Sequence, residues 1–373
     1  MSVKPSDSMT QFNSICFFNS NREWGGGEKW HIGTALMLKE HHFDVTLFAQ
    51  SGSELIRRTQ KAGIPAYGMR VSNMSFLNPL KVIRLAMSFR KLKVQIIILN
   101  LPSDVKFAGI AARLAGVKKI IYRRGSPVPV RNSLMNKLLF RYILTHVIAN
   151  SDLIKRNILR NNPTLVNDQK ITIIYNGING TFPQKAHSWQ EKNTERKRVI
   201  IGTAGRLSQE KGQEWLINMA GLLKDKGLDF SLHIAGEGPL RESLIRKSRA
   251  LDLAEHIRFI GFVENMEEFY SSLDLFVLNS SWEGCSNVIL EAMAQGLPVV
   301  AFNNSSIPEM VKDQVNGFLV KNGDSRDLAE KVARLISDAS LRKKFGEAGN
   351  QLVREKYNLN RSFDQLMALI QQS

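Results

Sequence analysis

Two acidic residues, Glu283 and Glu291, bracket a turn that has the features of a helix start. Gly284 frees the backbone there, and Ser286 or Asn287 can cap the first amides of a helix. Both carboxylates can therefore border a ligand at the helix N-terminus, an end that attracts anions. Acids beside an anion site suit a ligand with hydroxyl groups as well as phosphates, such as a nucleotide sugar. The alternative is that both acids only complement the helix dipole.

A glycine-flanked loop, 205–212, follows the first predicted strand of the second half of the chain. It holds Arg206 and Lys211, two cations that can reach a diphosphate and neutralise a leaving group. The loop lacks the Gly-Lys-Ser/Thr ending of a P-loop, and the sequence contains no Asp-x-Asp metal clamp. We therefore expect no metal and no cofactor, with Arg206 and Lys211 in the place of a metal. A solvated turn is the alternative for this loop.

Two further loops, 236–239 and 261–263, follow strands on the same expected edge of a sheet. Their small residues let the backbone approach a ligand. Phe262 and Val263 can pack on a nucleobase while backbone groups read its edge. A buried core position is the alternative for Phe262.

Short apolar runs alternate with amphipathic stretches in both halves of the chain. The runs are apolar throughout, which is typical of parallel strands covered on both faces by helices. The predicted fold class is therefore α/β, with two Rossmann-like parallel-sheet domains. The predicted strands are 14–18, 44–49, 65–69, 94–99, 119–122, 146–149, 199–202, 232–235, 257–260, 273–278, 298–302 and 317–320.

The length of 373 residues exceeds what one hydrophobic core usually serves, so two domains are expected. We predict a basic, acceptor-binding domain over 1–180 and a ligand-binding domain over 198–355. A polar and charged linker, 181–197, separates them. The closing segment, 356–373, is amphipathic and is predicted to cross back onto the first domain.

The first half carries two further candidate sites. Gly26 and Gly27, between the first strand and its helix, let the backbone approach a ligand closely, although a plain tight turn is the alternative. Arg123 and Arg124 end a strand and precede a proline-stiffened loop, which places fixed cations at the carboxyl edge of the sheet. We interpret Arg124, and secondarily Arg123, as acceptor or substrate contacts.

The net charge of +17 is concentrated in one region. Residues 70–170 contain 19 Lys and Arg against three Asp, a net of +16. This region would attract an anionic membrane surface, an anionic acceptor or nucleic acid, unless it is only a solubilising face. Two helical segments within it, 78–93 and 132–144, can either lie on a membrane surface or pack an apolar stripe on the sheet. Aromatic residues are sparse there, which disfavours nucleic acid as a partner.

Apolar runs are too short to span a membrane, and the first residues lack an apolar signal core. The two cysteines, Cys16 and Cys285, lie in different halves and indicate no disulfide framework. These features predict a cytoplasmic protein, peripheral on the inner face of the cytoplasmic membrane.

The second half contains a specific combination of motifs: Gly205-Arg206 with Glu210-Lys211-Gly212, Gly236-x-Gly238-Pro239, and Glu283-Gly284 with Glu291-Ala292-Met293-Ala294 and Gly296-x-Pro298. With them the chain resembles the retaining family-four glycosyltransferases of GT-B fold, also called glycosyl transferases group 1, of the lipopolysaccharide and surface-polysaccharide type. The resemblance is specific over about 199–335 and looser in the first half, where Gly26 and Gly27 fit a usual family turn.

The resemblance implies metal-independent, retaining transfer from a nucleotide sugar in a cleft between two Rossmann-like domains. It implies that Arg206 and Lys211 hold the diphosphate, that Glu291 binds the ribose hydroxyls and that Glu283 binds the sugar hydroxyls. Glu283, Arg206 and Lys211 are the predicted catalytic residues. Gly26, Gly27, Phe262 and Val263 complete the expected donor contacts, together with the amides of Cys285, Ser286, Asn287 and Val288. As the bond to the sugar breaks, these cations and amides would stabilise the charge that grows on the leaving phosphate.

The chain departs from the family in the first half. Many members have a histidine after the fourth or fifth strand, where this sequence has Asn100 and the run Arg123-Arg124-Gly125. We therefore assign Asn100, Arg123 and Arg124 to the acceptor and expect that acceptor to be an anionic glycan or glycolipid. The alternatives are a soluble acceptor, a catalytically silent partner of the same fold, and a basic nucleic-acid-binding protein.

Overall fold

The computed structural model describes residues 12–179 and 198–371. The chain divides into two compact units. The N-terminal unit comprises the residues up to Tyr175 and those from Ser362 onwards, and the C-terminal unit runs from Asn176 to Arg361. The predicted linker, 181–197, lies outside the described residues.

The N-terminal unit is built on a seven-stranded, all-parallel sheet with the order β3-β2-β1-β4-β5-β6-β7. The strands are β1 (Ser14–Asn19), β2 (Asp44–Gln50), β3 (Ala66–Met69), β4 (Ile96–Leu99), β5 (Lys119–Arg124), β6 (His146–Ala149) and β7 (Ile171–Ile173). The helices are α1 (Gly26–Glu40), α2 (Glu54–Lys61), α3 (Pro79–Lys91), the single turn α4 (Pro102–Asp104), α5 (Ile110–Ala115), α6 (Leu134–Leu138) and α7 (Asp152–Leu159).

Both faces of this sheet are buried. Successive residues of β1 point to opposite faces, as strand geometry requires. Cys16 and Phe18 join a core cluster with α3, α5 and α7, whereas Ile15 and Phe17 join a second cluster with α1 and α2. Burial on both sides is why the strands are continuous apolar runs in the sequence.

The C-terminal unit contains a six-stranded parallel sheet with the order β10-β9-β8-β11-β12-β13. Its strands are β8 (Val199–Ala204), β9 (Phe230–Ala235), β10 (Ile257–Gly261), β11 (Leu275–Leu278), β12 (Val299–Phe302) and β13 (Gly317–Val320). Its helices are α8 (Gln213–Asp225), α9 (Arg241–Ala250), α10 (Met266–Ser271), α11 (Asn287–Ala294), α12 (Ile307–Met310), α13 (Ser325–Ser337) and α14 (Ala339–Lys356). Because all six strands are parallel, the loops after β8 to β12 lie along one edge of the sheet.

The last helix, α15 (Leu359–Gln371), packs with its apolar side on the N-terminal unit. Phe363, Leu366 and Ile370 are buried in the cluster that covers β1. The buried Lys119 donates from Nζ to the carbonyl oxygens of Leu369 (2.9 Å) and Ile370 (2.8 Å). This cation satisfies carbonyls that the helix end leaves without intrahelical partners.

The predicted fold class is confirmed, since both units are α/β with parallel sheets. Two details differ from the sequence prediction. The short strand β7 was not predicted, and the predicted helix 132–144 is instead the short α6 followed by a π-helical turn, Leu139–Ile143. A second π-helical turn, Val105–Gly109, separates α4 from α5. None of the described helices has the length and apolarity needed to cross a bilayer.

Candidate functional site

Backbone hydrogen bonds connect the loops that follow β8, β9 and β10 in the C-terminal unit. The amide of Gly236 donates to the carbonyl of Gly261 (2.7 Å), and the amide of Leu207 donates to Glu237 (2.9 Å). A Cβ atom at Gly236 would lie 1.9 Å from the carbonyl oxygen of Gly205, and Gly236 has a φ of +131°. Only glycine permits this close approach, so the glycine pattern brings the loops after β8, β9 and β10 together.

The loop after β11 is attached to the Arg206–Lys211 loop at several points. The amide of Ser281 donates to the carbonyl of Glu210 (2.8 Å), and the Asn279 side chain donates to the carbonyl of Gly212. Lys211 Nζ lies 2.7 Å from Glu283 Oε1, and most of both side chains is buried. The structure thus brings together two of the predicted catalytic residues, while the third, Arg206, is exposed on the same loop.

The N-terminus of α11 is open. Ser286 occupies the N-cap position, but its hydroxyl makes no capping hydrogen bond and is buried without a partner in the described part of the chain. The Asn287 side chain instead accepts a hydrogen bond from Asn176 Nδ2 (2.7 Å). The prediction that Ser286 or Asn287 caps this helix is therefore wrong. The first-turn amides are left uncapped by side chains, which is the arrangement that binds anions at helix N-termini.

Glu291 is held by a residue that the sequence did not indicate. The hydroxyl of Tyr270, on α10, donates to Glu291 Oε2 at 2.8 Å. Tyr270 is almost fully buried, and burial, followed by the neighbouring Glu291, raises its pKa well above the ordinary value. Tyr270 therefore remains a hydrogen-bond donor at physiological pH and fixes the orientation of the carboxylate. A buried tyrosine needs a partner for its hydroxyl, but the sequence does not show which one.

The loop after β12 supports the Glu283 loop and was also missed. Ser306 Oγ donates to the carbonyl of Glu283 (3.1 Å), and Asn304 Nδ2 donates to the carbonyl of Ser280 (3.0 Å). Ser280 Oγ and Asn304 Oδ1 are buried without hydrogen-bond partners in the described residues. Unsatisfied buried polar atoms are uncommon and require an explanation. At this edge, a polar ligand would supply the missing partners.

Phe262 and Val263 follow β10 at the same edge. Phe262 is 60% exposed, and Val263 is partly buried. The alternative of a core position for Phe262 is therefore excluded. An exposed aromatic ring beside the loops after β8 and β9 is available to pack on a planar ligand group.

In the N-terminal unit, the predicted residues lie at the carboxyl edge of the sheet. Gly26 and Gly27 are predicted between β1 and its helix, but they form the first turn of α1. A Cβ atom at Gly27 would lie 3.3 Å from Asn100 Nδ2, so the start of α1 and Asn100 adjoin. The buried Asn19, at the end of β1, donates to the buried Glu28 of α1 at 2.9 Å. Gly26 begins α1. These residues belong to the N-terminal unit, whereas the other predicted donor contacts belong to the C-terminal unit.

Arg123 and Arg124 are both buried and point to opposite faces of β5. The Arg123 guanidinium lies 4.3 Å from the ring centroid of Trp30, a cation–π contact. Burial, followed by the charge of Arg123, lowers the pKa of the nearby His31 to about 3. His31 is therefore neutral at physiological pH. Arg124 instead donates to the Tyr122 hydroxyl (3.0 Å) and to the carbonyl of Val128.

Two family profiles match the chain. The profile described as glycosyl transferases group 1 matches residues 185–352, and the one described as Glycosyltransferase Family 4 matches residues 24–181. The chain belongs to the group 1 glycosyltransferases. The family resemblance of the sequence motifs is thereby confirmed. Every C-terminal site residue described above from Arg206 onwards lies within the first match, and Gly26, Gly27, Asn100, Arg123 and Arg124 lie within the second.

Two curated proteins that are similar to this chain are named for capsular polysaccharide and lipopolysaccharide core biosynthesis. The capsular polysaccharide biosynthesis glycosyltransferase CapM of Staphylococcus aureus is 30% identical over 250 residues, which is 63% of this chain and 63% of CapM. The lipopolysaccharide core biosynthesis glycosyltransferase LpsE of Rhizobium meliloti is 28% identical over 202 residues, covering 54% of this chain and 58% of LpsE. The matches thus span less than two thirds of these curated relatives.

The fold of this glycosyltransferase has close structural counterparts. The Anabaena protein Alr3699/HepE, solved in complex with UDP, superimposes with a TM-score of 0.80 at 20% identity, covering 96% of this chain and 99% of that one. The GT-B fold expected from the sequence is confirmed.

Proposed function

We propose that the protein is a retaining glycosyltransferase that moves a sugar from a nucleotide-sugar donor to an anionic, lipid-linked glycan acceptor during lipopolysaccharide or surface-polysaccharide biosynthesis. The observation that carries the donor half of this proposal is the Lys211–Glu283 pair beside the uncapped N-terminus of α11. A cation, a carboxylate and helix N-terminal amides at one edge match the phosphates and hydroxyls of a sugar nucleotide. The UDP bound by the Anabaena counterpart supports the same donor class.

Each donor contact has a separate role in the proposal. Arg206 and Lys211 bind the diphosphate, and the amides of Cys285 to Val288 bind the donor's phosphate and sugar. Glu291, fixed by Tyr270, binds the ribose hydroxyls, and Glu283 binds hydroxyls of the transferred sugar. Phe262 and Val263 pack on the base. Gly26 and Gly27 are proposed to approach the donor from the N-terminal unit.

The chemical contribution of these groups is electrostatic. When the bond between the sugar and the phosphate breaks, negative charge grows on the leaving diphosphate. Arg206, Lys211 and the α11 amides stabilise this charge more than the ground state. Loss of one such contact typically costs about 3 kcal/mol of barrier, or roughly a hundredfold in rate. With two cations in place, the proposed reaction uses no bound metal.

The part of the proposal that concerns the acceptor depends on Arg123, Arg124 and Asn100, at the carboxyl edge of the N-terminal sheet. Guanidinium groups favour carboxylate and phosphate ligands. The +16 charge of residues 70–170 would also draw an anionic acceptor toward this unit.

The helix α3 supports a peripheral membrane location. One stripe, with Val82, Leu85 and Phe89, is buried against the sheet. A second stripe, Leu80, Ile83 and Met87, is 50–65% exposed and is flanked by Lys81 and Arg84. The helix therefore packs on the sheet, and it also presents an exposed apolar stripe between cations. Such a surface suits an anionic bilayer.

The proposal is tested by donor turnover. The purified protein is incubated with a panel of nucleotide sugars and a membrane extract that supplies the acceptor, and release of nucleoside diphosphate is measured with and without EDTA. We expect turnover of one donor, insensitivity to EDTA, and retention of the donor's anomeric configuration in the product by NMR. Inversion or EDTA inhibition would overturn the mechanism, turnover with a water-soluble acceptor alone would overturn the lipid link, and no turnover of any donor would overturn the enzymatic function.

A further inference from the structure

A cavity of about 340 Å³ lies within the N-terminal unit, between the start of α4, the end of β5 and the segment around α6. Its walls are mainly apolar and include Val105, Val130, Leu139 and Phe140. Ligand cavities typically have volumes of about 300–1,000 Å³. This one is therefore large enough for a headgroup and a few carbon atoms, and too small for a whole lipid.

Arg124 lines this cavity and is only 5% exposed. It donates to the Tyr122 hydroxyl and the Val128 carbonyl, but its Nε–H has no hydrogen-bond partner in the described residues. In residues 12–179 and 198–371, no carboxylate forms an ion pair with it. A buried charge without a partner is unfavourable. An anionic ligand would satisfy it.

The Tyr122 hydroxyl adds a second donor. It accepts a hydrogen bond from Arg124, and among the described residues nothing accepts its proton. Burial is the main reason that its pKa is raised, so the hydroxyl keeps this proton. Two buried donor groups on one wall, with Lys106 and Arg131 also lining the cavity, indicate an anion with several acceptor oxygens.

Both π-helical turns border the cavity. Val105 and Lys106 belong to the turn Val105–Gly109, and Leu139 and Phe140 belong to the turn Leu139–Ile143. π-Helical turns are rare and are found frequently at functional sites. Here Val105, Leu139 and Phe140 give these turns an apolar surface in the lining of the cavity.

One acidic group lies near enough to the cavity to affect the binding of an anion there. Asp104 influences Tyr122 electrostatically, but it is buried and donors from Ser20 and Leu101 surround it. Burial raises the pKa of Asp104 to about 7. The carboxyl therefore holds its proton to a higher pH than an ordinary aspartate, which weakens its opposition to an anion in the cavity.

We infer that this cavity binds a phosphate joined to a hydrocarbon chain, with the phosphate oxygens on Arg124 and Tyr122 and the first carbons against Val105, Leu139 and Phe140. The inference rests on the proposed function, because it assigns to the cavity the phosphate-bearing end of the acceptor's lipid. A phospholipid headgroup has similar chemistry, because in both ligands the phosphate is joined on two sides, but a phospholipid carries two hydrocarbon chains. The test therefore compares a phosphate that carries one chain with a phosphate that carries two.

The probes are octyl phosphate, inorganic phosphate, octanol and dioctyl phosphate, titrated below their aggregation limits by calorimetry. We expect octyl phosphate to bind at least about 10-fold more tightly than each of the other three, since it alone combines a phosphate with a single hydrocarbon chain. Equal binding of octanol would show that Arg124 plays no part, and equal binding of inorganic phosphate would show that the apolar walls play none. Tighter binding of dioctyl phosphate would indicate a phospholipid instead. Each of these results overturns the inference.

Three variants locate the binding. Tyr122→Phe removes only the hydroxyl and should weaken octyl phosphate about 3- to 10-fold, and Arg124→Gln should weaken it by about 10-fold or more. Because Arg124 is buried and its replacement can affect folding, Val128→Trp provides an independent test. Val128 is 56% exposed and lines the cavity, so the larger ring should block entry without disturbing the core.

The matched control is Val315→Trp in the C-terminal unit, a valine with the same 56% exposure. It should leave octyl phosphate binding unchanged. Equal binding by wild type and Val128→Trp would overturn the inference. Nucleoside diphosphate binding is measured on the same samples. If nucleoside diphosphates do not bind while octyl phosphate binds as expected, the proposed function is wrong and the cavity site is retained. If nucleoside diphosphates bind and octyl phosphate does not, only the cavity site is wrong.

Discussion

The ammonium of Lys211 lies 2.7 Å from the carboxylate of Glu283, and the two residues come from loops that follow different strands of the C-terminal sheet. The ion pair orients both side chains before a ligand arrives. It also means that a diphosphate must compete with Glu283 for the lysine. Glu283 therefore opposes phosphate binding and, in the proposed function, assists sugar binding.

This relationship predicts opposite effects on binding and transfer. Glu283→Gln should raise affinity for a nucleoside diphosphate about 5-fold, because it removes roughly 1 kcal/mol of competing attraction. It should lower sugar transfer about 100-fold. Lys211→Ala should lower both. Calorimetry and turnover assays measure the two effects, with Glu214→Gln, in the exposed pair with Lys247, as the control. A parallel loss of binding and transfer in Glu283→Gln contradicts the separate roles.

Tyr270→Phe should weaken nucleotide binding through Glu291. The lost hydrogen bond to a carboxylate corresponds to about 1.5–3 kcal/mol. If Glu291 binds the ribose, the variant should lose affinity for a ribonucleoside diphosphate and change little with its 2′,3′-dideoxy analogue. Calorimetric titration of both ligands measures the difference. Equal losses for both would show that Tyr270 only stabilises the fold.

The exposed stripe of α3 should control membrane binding. Replacement of Leu80, Ile83 and Met87 by Gln should reduce co-sedimentation with anionic vesicles at least 10-fold, since each apolar side chain contributes up to about 1.5–3 kcal/mol when buried. Lys81→Gln and Arg84→Gln should weaken binding mainly at low salt. The control changes Leu251 and Val315, exposed apolar residues of the C-terminal unit, to Gln. Unchanged co-sedimentation of the α3 variant with anionic vesicles would contradict the proposed membrane surface.

Asp104 should make stability depend on pH. Its pKa is raised from 3.8 to about 7, chiefly by burial, so the folded protein binds more protons than the unfolded chain between these values. The contribution of this group to the free energy of unfolding is therefore greatest below pH 4, and it falls as the pH rises to 7. Three pKa units correspond to roughly 4 kcal/mol.

Urea denaturation of wild type and Asp104→Asn from pH 4 to pH 8 isolates this contribution. The difference between the two proteins should shift in favour of the asparagine variant as pH rises. A difference that stays constant over this range, or that shifts toward the aspartate, contradicts the assignment.

Much of the fold can be predicted from the sequence, because a parallel strand buried on both faces must be apolar throughout. The run from Ile96 to Leu99 shows this, since all four residues are fully buried in β4. The strand Ile171–Ile173 could not be predicted because it is only three residues long and only its first residue is buried. The π-helical turn Leu139–Ile143 has the same apolar composition as an ordinary helix, so composition does not distinguish the two.

The candidate site was only partly predictable. Lys211, Glu283 and Glu291 lie in motifs whose spacing indicates their chemistry. Tyr270 could not be found, because its contact with Glu291 depends on how α10 packs beside α11. The predicted cap at Ser286 is wrong for a related reason. Serine favours N-cap positions in general, but this loop leaves its hydroxyl without a partner among the described residues.

The most direct test of the central claim is a thermal-shift panel of nucleoside diphosphates and their sugars. A matching ligand at a hundred times its dissociation constant should stabilise the wild-type protein by about 2.7 kcal/mol, and the double variant Arg206→Ala, Glu291→Ala should show little of this stabilisation. The absence of a shift with every nucleotide, or shifts of equal size in the double variant, would contradict the assignment of this site to a nucleotide-sugar donor.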